Sequence, residues 1–292
     1  MHHVETEITS QPSCWRTALE TLPRVADALP RAGERVAVIG CGTSWFMAQS
    51  YAAAREQAGH GVTDVFPASE LPARDYDLVL ALTRSGTTTE VVDALRDARQ
   101  RQPTVAITAV SGQPVDAAAD ETIVLDFADE RSVVQTRFAT TALVLLRAHL
   151  GLDAERAVRD AEAALAAPLD DALVEAAQIT FLGRGWSIGL AHEAALKLRE
   201  AAGAWSESYP AMEYRHGPIS IAAPGRAVWL IGDGPDGLAE QVRATGAHVV
   251  ADAIDPLADL VRAQRVAVAK AKAAGLDPDR PRHLSRSVIL TP

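Results

Sequence analysis

The sequence has few cysteines, few lysines and few aromatic residues, and it has no long apolar run. Two cysteines in 292 residues, Cys14 and Cys41, cannot build a disulfide framework, and their spacing matches no metal-binding pattern. No stretch is long and apolar enough for a transmembrane helix, and the N-terminus lacks the charged and then apolar pattern of a signal peptide. We therefore expect a cytoplasmic protein that makes no membrane contact and needs no metal ion or cofactor.

Positive charge is scarce as well. The chain has 28 lysines and arginines against 38 aspartates and glutamates, which gives a formal net charge of −10. Such a balance repels the phosphates of nucleic acid, so we expect no nucleic-acid partner. A small anionic ligand remains compatible, because local donor groups decide its binding. The chain has only three lysines, Lys197, Lys270 and Lys272, so arginine carries nearly all of the positive charge.

Short apolar segments alternate with helical segments in the first half of the chain. The pattern predicts strands at 35–40, 77–83, 104–110 and 122–126. It predicts helices at 14–29, 44–58, 88–102, 114–119 and 130–149. Continuous apolar strands that alternate with helices are typical of a parallel sheet covered on both faces.

The same alternation restarts after a helical connecting segment at 152–178. Predicted strands lie at 180–183, 227–232 and 248–254, and predicted helices at 187–203, 237–245 and 256–274. The repetition suggests an internal duplication, and the smaller number of strands predicts a shortened second sheet.

We therefore expect an α/β chain with two subdomains, each a parallel sheet flanked by helices. Residues 1–150 would form the first subdomain with an N-terminal helix, and residues 151–274 would form the linker helix and the second subdomain. The remaining tail, 275–292, is rich in proline and arginine. Such a tail is either disordered or attached across a site.

Two hydroxyl-rich turns with glycine follow the first two predicted strands, at 41–44 (CGTS) and 83–88 (TRSGTT). Backbone N–H groups at a helix start lack internal partners and attract anions, and serine and threonine hydroxyls add donors. Because parallel strands end at the same edge of a sheet, we predict that both turns hold one anion. Taken singly, each turn has a purely architectural alternative, since serine and threonine are preferred N-caps. Arg84 could clamp a phosphate with two N–H groups, and its alternative is a surface ion pair with a carboxylate.

These turns resemble the double sugar-isomerase (SIS) domain family, together with segments 183–218 (GRGWSIGLAHEAALKLREAAGAWSESYPAMEYRHGP) and 277–288 (DPDRPRHLSRSV). That family includes the isomerase half of glucosamine-6-phosphate synthase and the amino-sugar-phosphate deaminase/isomerases. The resemblance covers nearly the whole chain. It implies two SIS-type subdomains, a phosphorylated sugar as ligand, and a homodimer with the active site at the subunit interface.

The resemblance also implies residue roles. Glu200 would be the base that shuttles a proton, and His216, supplied by the partner subunit, would open the sugar ring. The implied phosphate contacts are Thr43, Ser44, Thr83, Ser85 and Thr88, to which Arg84 is added for its chemistry. The implied sugar contacts are Val133, with Gln135 as its neighbour, together with Lys197 and Arg286.

The spacing of Glu193, Lys197 and Glu200 places them along one helix face. Aldose–ketose interconversion moves a proton between adjacent carbons, and a positioned carboxylate suits that transfer. An ion pair with Lys197 is the expected role of Glu193. Lys197 itself is open between that ion pair and a substrate contact, and the alternative for Glu200 is a solvated helix end.

Three departures from the family pattern limit the expected chemistry. Arg286 stands where the synthase has an imine-forming lysine, and a permanently protonated guanidinium cannot form an imine. Arg286 is therefore at most an electrostatic contact to the sugar. Arg84 replaces a usual glutamine, which favours the deaminase/isomerase branch. No glutaminase segment precedes the domain, and His2 follows Met1 in place of a catalytic cysteine, so we expect no glutaminase activity.

The expected function is thus an enzymatic one, aldose–ketose isomerisation of a hexose 6-phosphate or hexosamine 6-phosphate, with or without loss of ammonia. The alternative is a non-catalytic phosphosugar sensor that uses the same turns, and Arg286 favours it. A nucleotide-binding protein is a weaker interpretation, because the first turn lacks the later glycine of the dinucleotide fingerprint.

Overall fold

A computed structural model describes residues 2–290. Within this range the strands form two sheets in which every pair is parallel. The strands are β1 (Val36–Gly40), β2 (Thr63–Pro67), β3 (Leu78–Thr83), β4 (Thr104–Thr108), β5 (Glu121–Val124), β6 (Gln178–Gly183), β7 (Ser206–Pro210), β8 (Arg226–Ile231) and β9 (His248–Val250).

Helices precede, connect and follow these strands. They are α1 (His3–Thr9), α2 (Gln11–Val25), α3 (Thr43–Gln57), α4 (Thr89–Arg99), α5 (Pro114–Ala118), α6 (Arg137–His149), α7 (Ala154–Ala166), α8 (Asp171–Glu175), α9 (Ser187–Ala202), α10 (Leu238–Arg243) and α11 (Pro256–Ala273). None of the helices within residues 2–290 combines the length and the apolar character that a membrane crossing requires.

The described residues divide into two compact units, each built around one sheet. The first-sheet unit comprises residues 13–130, 135–154 and 285–290. The second-sheet unit comprises residues 2–12, 131–134 and 155–284. The sequence-based boundaries therefore differ from this division, because helix α1 groups with the second sheet and the C-terminal tail is shared between the units.

The first-sheet unit has the strand order β2-β1-β3-β4-β5. Its inner strands β1, β3 and β4 are buried along their whole length, which explains their continuous apolar sequences. Gly40 closes β1 where helix α3 begins, and a Cβ there would lie only 2.8 Å from the backbone carbon of Ser44. Glycine thus lets the helix start directly against the end of the strand.

The second-sheet unit repeats this arrangement with the order β7-β6-β8-β9. Its central strand β6 is buried at every position, and Gly183 closes it where helix α9 begins. A Cβ at Gly183 would lie 2.3 Å from the carbonyl oxygen of Ser187. With four strands against five, the second sheet is shortened, and this prediction is confirmed.

The structure corrects several element predictions. The sequence pattern missed strands β2 and β7 and helix α1, and it extended β9 to residue 254 where the strand ends at Val250. The helix predicted from Glu130 begins only at Arg137, because the Glu130 carboxylate accepts hydrogen bonds from the first turn of α6. The helix predicted over 14–29 runs from Gln11 to Val25.

Candidate functional site

The two hydroxyl-rich turns lie at the carboxyl ends of neighbouring strands. Strands β1 and β3 pair in parallel, with Ile39 beside Ala81, so the segments after Gly40 and Thr83 leave the sheet at the same edge. From β1 the chain crosses to β2 on one side and then to β3 on the other, which makes this point the place where strand order reverses. Open α/β sheets bind ligands outside the carboxyl ends of their strands at such a reversal.

The first turn ends at the start of helix α3, whose N-cap residue is Gly42. No side chain caps this helix end at its N-cap position. Thr43 and Ser44 are 5% and 4% exposed, and the Ser44 amide donates to the Cys41 carbonyl over 3.1 Å. The Gln135 Nε2 group lies 3.5 Å from Ser44 Oγ, which places this predicted sugar contact beside the first turn.

The second turn folds around the hydroxyl of Ser85. Both the amide and the hydroxyl of Thr87 donate to Ser85 Oγ, over 3.2 and 2.9 Å. Gly86 has a positive φ of 66°, and a Cβ there would lie 2.8 Å from Gln113 Cβ. Thr88 occupies the N-cap position of α4 but makes no side-chain capping bond. The start of α4 thus presents backbone donors without a local side-chain cap.

Arg84 is buried, with only 4% of its side chain exposed. Its Nη1 atom lies 3.7 Å from Glu130 Oε2, and its Nη2 atom donates to the carbonyl of Arg286 over 2.8 Å. Pairing with a carboxylate, the alternative raised for Arg84, is what the structure shows, although the pair is buried and not on the surface. Its role as a phosphate clamp stays a prediction.

Glu130 links several parts of the first-sheet unit and was missed by the sequence analysis. Its Oε1 atom accepts from the amide and hydroxyl of Thr136 and from the amide of Arg137, over 2.6 to 2.8 Å. A carboxylate at this position compensates the positive end of the α6 dipole. No sequence signal separated Glu130 from the other acidic residues, because each of these contacts depends on the folded chain.

Arg286 is anchored by the loop before α6. Its guanidinium forms an ion pair with Asp129 and donates to the carbonyl oxygen of Glu130 over 2.5 Å. These contacts occupy the side chain that was predicted to touch the sugar. They also bring the following tail residues to the second turn, where the Thr89 amide donates to the carbonyl of Val288 over 3.2 Å.

The second-sheet unit contains the other predicted cluster, on helix α9. Lys197 Nζ lies 3.3 Å from Glu193 and forms a short ion pair with Glu200. Burial lowers the pKa of Lys197, but the two carboxylates raise it more, so that its pKa lies above the ordinary lysine value. Because the side chain is 1% exposed, this geometry supports the ion-pair interpretation over a substrate contact.

Glu200 differs from Glu193 in its access to open space. Its side chain is 18% exposed, against 1% for Glu193. A cavity of about 760 Å³ lies between the end of α9 and the 275–284 segment, and Glu200 lines it together with Arg199, Arg280 and His283. Its size suits a small-molecule ligand. A carboxylate that an ammonium group holds in place is thus accessible from a cavity.

The remaining predicted contacts also belong to the second-sheet unit. His216 is exposed at the end of the short 3-10 turn Glu213–His216. The Val133 amide donates to the carbonyl of Asp279 over 3.1 Å, which fixes the 131–134 loop against the 275–284 segment.

One group of potential metal ligands occurs among residues 2–290, formed by His2, Asp277 and Asp279. The two carboxylate oxygens of Asp279 accept from the amides of His3 and Val4, over 2.7 and 2.8 Å. This carboxylate therefore serves helix α1 as an N-terminal cap.

Comparison with known proteins places these features in context. The family model described as "SIS domain" matches residues 29–150. Glutamine--fructose-6-phosphate aminotransferase [isomerizing] of Sulfurisphaera tokodaii is 27% identical over 99% of this chain and 56% of its own length. The chain thus spans about half the length of the curated relatives it matches.

Solved structures match over nearly the whole chain. Glucosamine-6-phosphate deaminase of Thermotoga maritima superposes with a TM-score of 0.83 at 25% identity, covering 99% of this chain and 100% of that protein. Tagatose-6-phosphate ketose/aldose isomerase of Escherichia coli shares the fold with a TM-score of 0.80 at 20% identity, covering 99% and 96%. The match to the SIS domain model thus covers residues 29–150, the part of the chain that holds strands β1 to β5.

Proposed function

We propose that this chain is an enzyme that interconverts the aldose and ketose forms of a hexose 6-phosphate or hexosamine 6-phosphate, with or without release of ammonia. The observation that carries the proposal is the pair of hydroxyl-rich turns at the adjacent ends of β1 and β3. The similarity to the Thermotoga maritima glucosamine-6-phosphate deaminase and to isomerizing aminotransferases supports this substrate class.

In this proposal the two turns hold the phosphate group. Backbone N–H groups at the starts of α3 and α4 point to one edge of the sheet, where the positive ends of two helix dipoles favour an anion. The hydroxyl donors are those of Thr43, Ser44, Thr83, Ser85 and Thr88. Arg84 contributes N–H donors from a guanidinium whose charge Glu130 balances.

Glu200 is the proposed base, which takes the proton from one sugar carbon and returns it to the next. Lys197 acts as a positioning residue, because its buried ammonium group fixes the carboxylate without reaching the cavity. His216 is assigned to ring opening, and we propose that the partner subunit of a homodimer supplies it.

We also propose that the second-sheet unit is a diverged second SIS-type subdomain. Both sheets place their first strand between an edge strand and the third strand in sequence, in the orders 2-1-3 and 7-6-8. In each sheet an edge strand follows the helix after the first strand, and this edge strand ends in a proline. Strand β2, after α3, ends in Pro67, and strand β7, after α9, ends in Pro210. We assign no described residue to a glutaminase activity, and the expectation that the chain lacks this activity stays a prediction. A cytoplasmic location also stays a prediction.

The test is turnover with fructose 6-phosphate and with glucosamine 6-phosphate, followed by NMR in ²H₂O and by an ammonium assay. Isomerisation with proton transfer at carbon incorporates solvent deuterium beside the carbonyl group. The Glu200→Gln variant should lose this incorporation while it still binds the phosphosugar. Absence of turnover with both substrates, and with other hexose 6-phosphates, would remove the enzymatic proposal.

A phosphosugar sensor is the second candidate function. It is favoured by Arg286, which the resemblance aligns with the family's imine-forming lysine and which contacts Asp129 and Glu130. Both candidates predict that phosphosugars raise the melting temperature, since a ligand that binds the folded state stabilises it. Only the enzyme predicts product formation.

A further inference from the structure

The C-terminal tail lies across the second hydroxyl-rich turn and the start of α4, with two hydrogen bonds to each. The carbonyl oxygen of Arg286 accepts from Arg84 Nη2 over 2.8 Å, and that of Val288 accepts from the Thr89 amide over 3.2 Å. Ser287 Oγ lies within hydrogen-bonding distance of Thr87 Oγ1, at 3.0 Å, and the Leu290 amide donates to Thr89 Oγ1 over 2.9 Å.

These bonds use groups that an anion at this turn would also need. Thr89 is the first residue of α4, so its amide belongs to the backbone donors that have no partner within the helix. The Arg84 guanidinium is the one cationic side chain within the 83–88 turn. Both donors point to carbonyl oxygens of the tail. These oxygens carry a partial negative charge, whereas phosphate oxygens carry a full negative charge.

Residues 287–290, the last that the structure describes, are held by few other contacts. Val288, Ile289 and Leu290 are 52%, 63% and 59% exposed, so little apolar surface is buried when this segment is in place. Arg286 is different, because Asp129 and Glu130 bind its guanidinium. Residues 287–290 can therefore leave the turn while Arg286 remains anchored.

We propose that residues 287–290 are a displaceable occupant of the phosphate site, and that a phosphate group competes with the Val288 carbonyl for the Thr89 amide. The inference rests on the proposed function, since it takes the second turn as a phosphate site. Because of this competition, the apparent affinity for phosphate equals the affinity of the open turn multiplied by the fraction of molecules whose turn is open. The tail then acts as an autoinhibitory segment that yields to phosphorylated ligands.

Position 290 offers a matched pair of variants in the 292-residue chain. Leu290→Pro removes the amide that donates to Thr89 Oγ1 and restricts the backbone of Ile289. Leu290→Ala removes the same exposed side chain but keeps the amide. Isothermal titration with inorganic phosphate, at constant ionic strength, should show about 3- to 10-fold tighter binding for Leu290→Pro than for Leu290→Ala, as expected from the loss of one competing hydrogen bond.

Hydrogen exchange provides an independent readout on the unmodified chain. Saturating phosphate should speed amide exchange at Leu290, because its bond to Thr89 is lost, while the Thr89 amide stays protected by the anion. Equal phosphate affinities of the two variants, with unchanged exchange at Leu290, would overturn the competition and leave the phosphate site intact. If neither variant nor the unmodified chain binds phosphate, the proposed site itself fails, and the competition fails with it.

Discussion

Arg84 Nη1 lies 3.7 Å from Glu130 Oε2, and the two side chains are 4% and 0% exposed. The one guanidinium of the second turn is therefore neutralised from inside the protein. Breaking such a pair leaves an uncompensated buried charge, which commonly costs about 3–5 kcal/mol. The turn that we propose for phosphate binding thus also contributes to the stability of the first-sheet unit.

Glu130→Gln should lower the free energy of unfolding by about 3 kcal/mol, because Arg84 would remain buried without its counter-charge. Urea denaturation measures this loss. Arg84→Met should be costly for the same reason, while the double variant should lose less than the sum of the two single losses. Additive losses would show that the 3.7 Å contact contributes no coupling.

Glu193 and Glu200 share the partner Lys197 but differ in access, which allows their roles to be separated. Glu193→Gln should lower stability by about 1–3 kcal/mol, because its carboxylate balances a buried ammonium group, and turnover should fall by less than about tenfold. Glu200→Gln should lower kcat by about 10²- to 10⁴-fold with a smaller loss of stability. Steady-state kinetics and denaturation on both variants check this. A reversed pattern would show that Glu193, and not Glu200, is the base.

Ser44→Ala should weaken the binding of phosphate and hexose 6-phosphates about tenfold, because the variant lacks a hydroxyl donor to a charged oxygen. Ser69→Ala is the matched control. Ser69 follows the neighbouring strand β2 at the same edge of the sheet, but it is exposed and lies outside both turns. Calorimetric titration should distinguish the two variants, and an equal effect would argue against the specific role of the first turn.

Asp259 makes the stability of the second-sheet unit depend on pH. Burial raises its pKa to about 7, although Arg262 and the Trp229 N–H group partly oppose this rise. Between about pH 4 and pH 7 the folded chain then binds more protons than the unfolded chain. The free energy of unfolding should therefore fall as the pH rises through this window, by up to about 1.4 kcal/mol per pH unit.

The Asp259→Asn variant cannot titrate at this position, so its stability profile between pH 5 and pH 7 should be flatter than that of the unmodified chain. Chemical denaturation at a series of pH values measures both profiles. Asp97→Asn, at an exposed position of helix α4, should leave the slope unchanged. Identical slopes for all three proteins would place the pKa of Asp259 outside the window.

The inner strands were predictable because burial on both faces makes them continuously apolar, as β1 and β3 show. The edge strands β2 (TDVFP) and β7 (SESYP) were missed for the converse reason. Each pairs on one side only and is half-exposed at four of its five positions, so its sequence carries no continuous apolar run. Local pattern thus found every central strand, whereas among the four edge strands it found β5 and β9 and missed β2 and β7.

The candidate site divides in a similar way. The hydroxyl-rich turns could be found because their donors are contiguous in sequence and follow recognisable strands. Glu130 and Asp129 could not, since they reach Arg84 and Arg286 across 46 and 157 positions. Helix α1 depends likewise on Asp279, which caps it from 276 positions away. Contacts of this range follow from the folded chain and leave no local pattern.

Cys41 provides a reporter within the first turn. Burial, and after it the Glu90 carboxylate near its Sγ atom, raise the pKa of the thiol to about 11. In a Cys14→Ala background, iodoacetamide should therefore alkylate Cys41 slowly at pH 8, because the thiolate is the reactive form. Glu90→Gln should speed the reaction about two- to fivefold by removing the charge that opposes the thiolate.

Glu90 and Asp93 both lie on helix α4, and Asp93 is on its exposed face. The variant Asp93→Asn should therefore leave the alkylation rate of Cys41 unchanged. Phosphate bound at the turns would add negative charge beside the thiol and should slow the reaction further, in proportion to site occupancy. The rate measured by mass spectrometry then gives a binding curve for the proposed site. A rate that phosphate does not alter, on a chain shown by calorimetry to bind it, would place the anion away from the first turn.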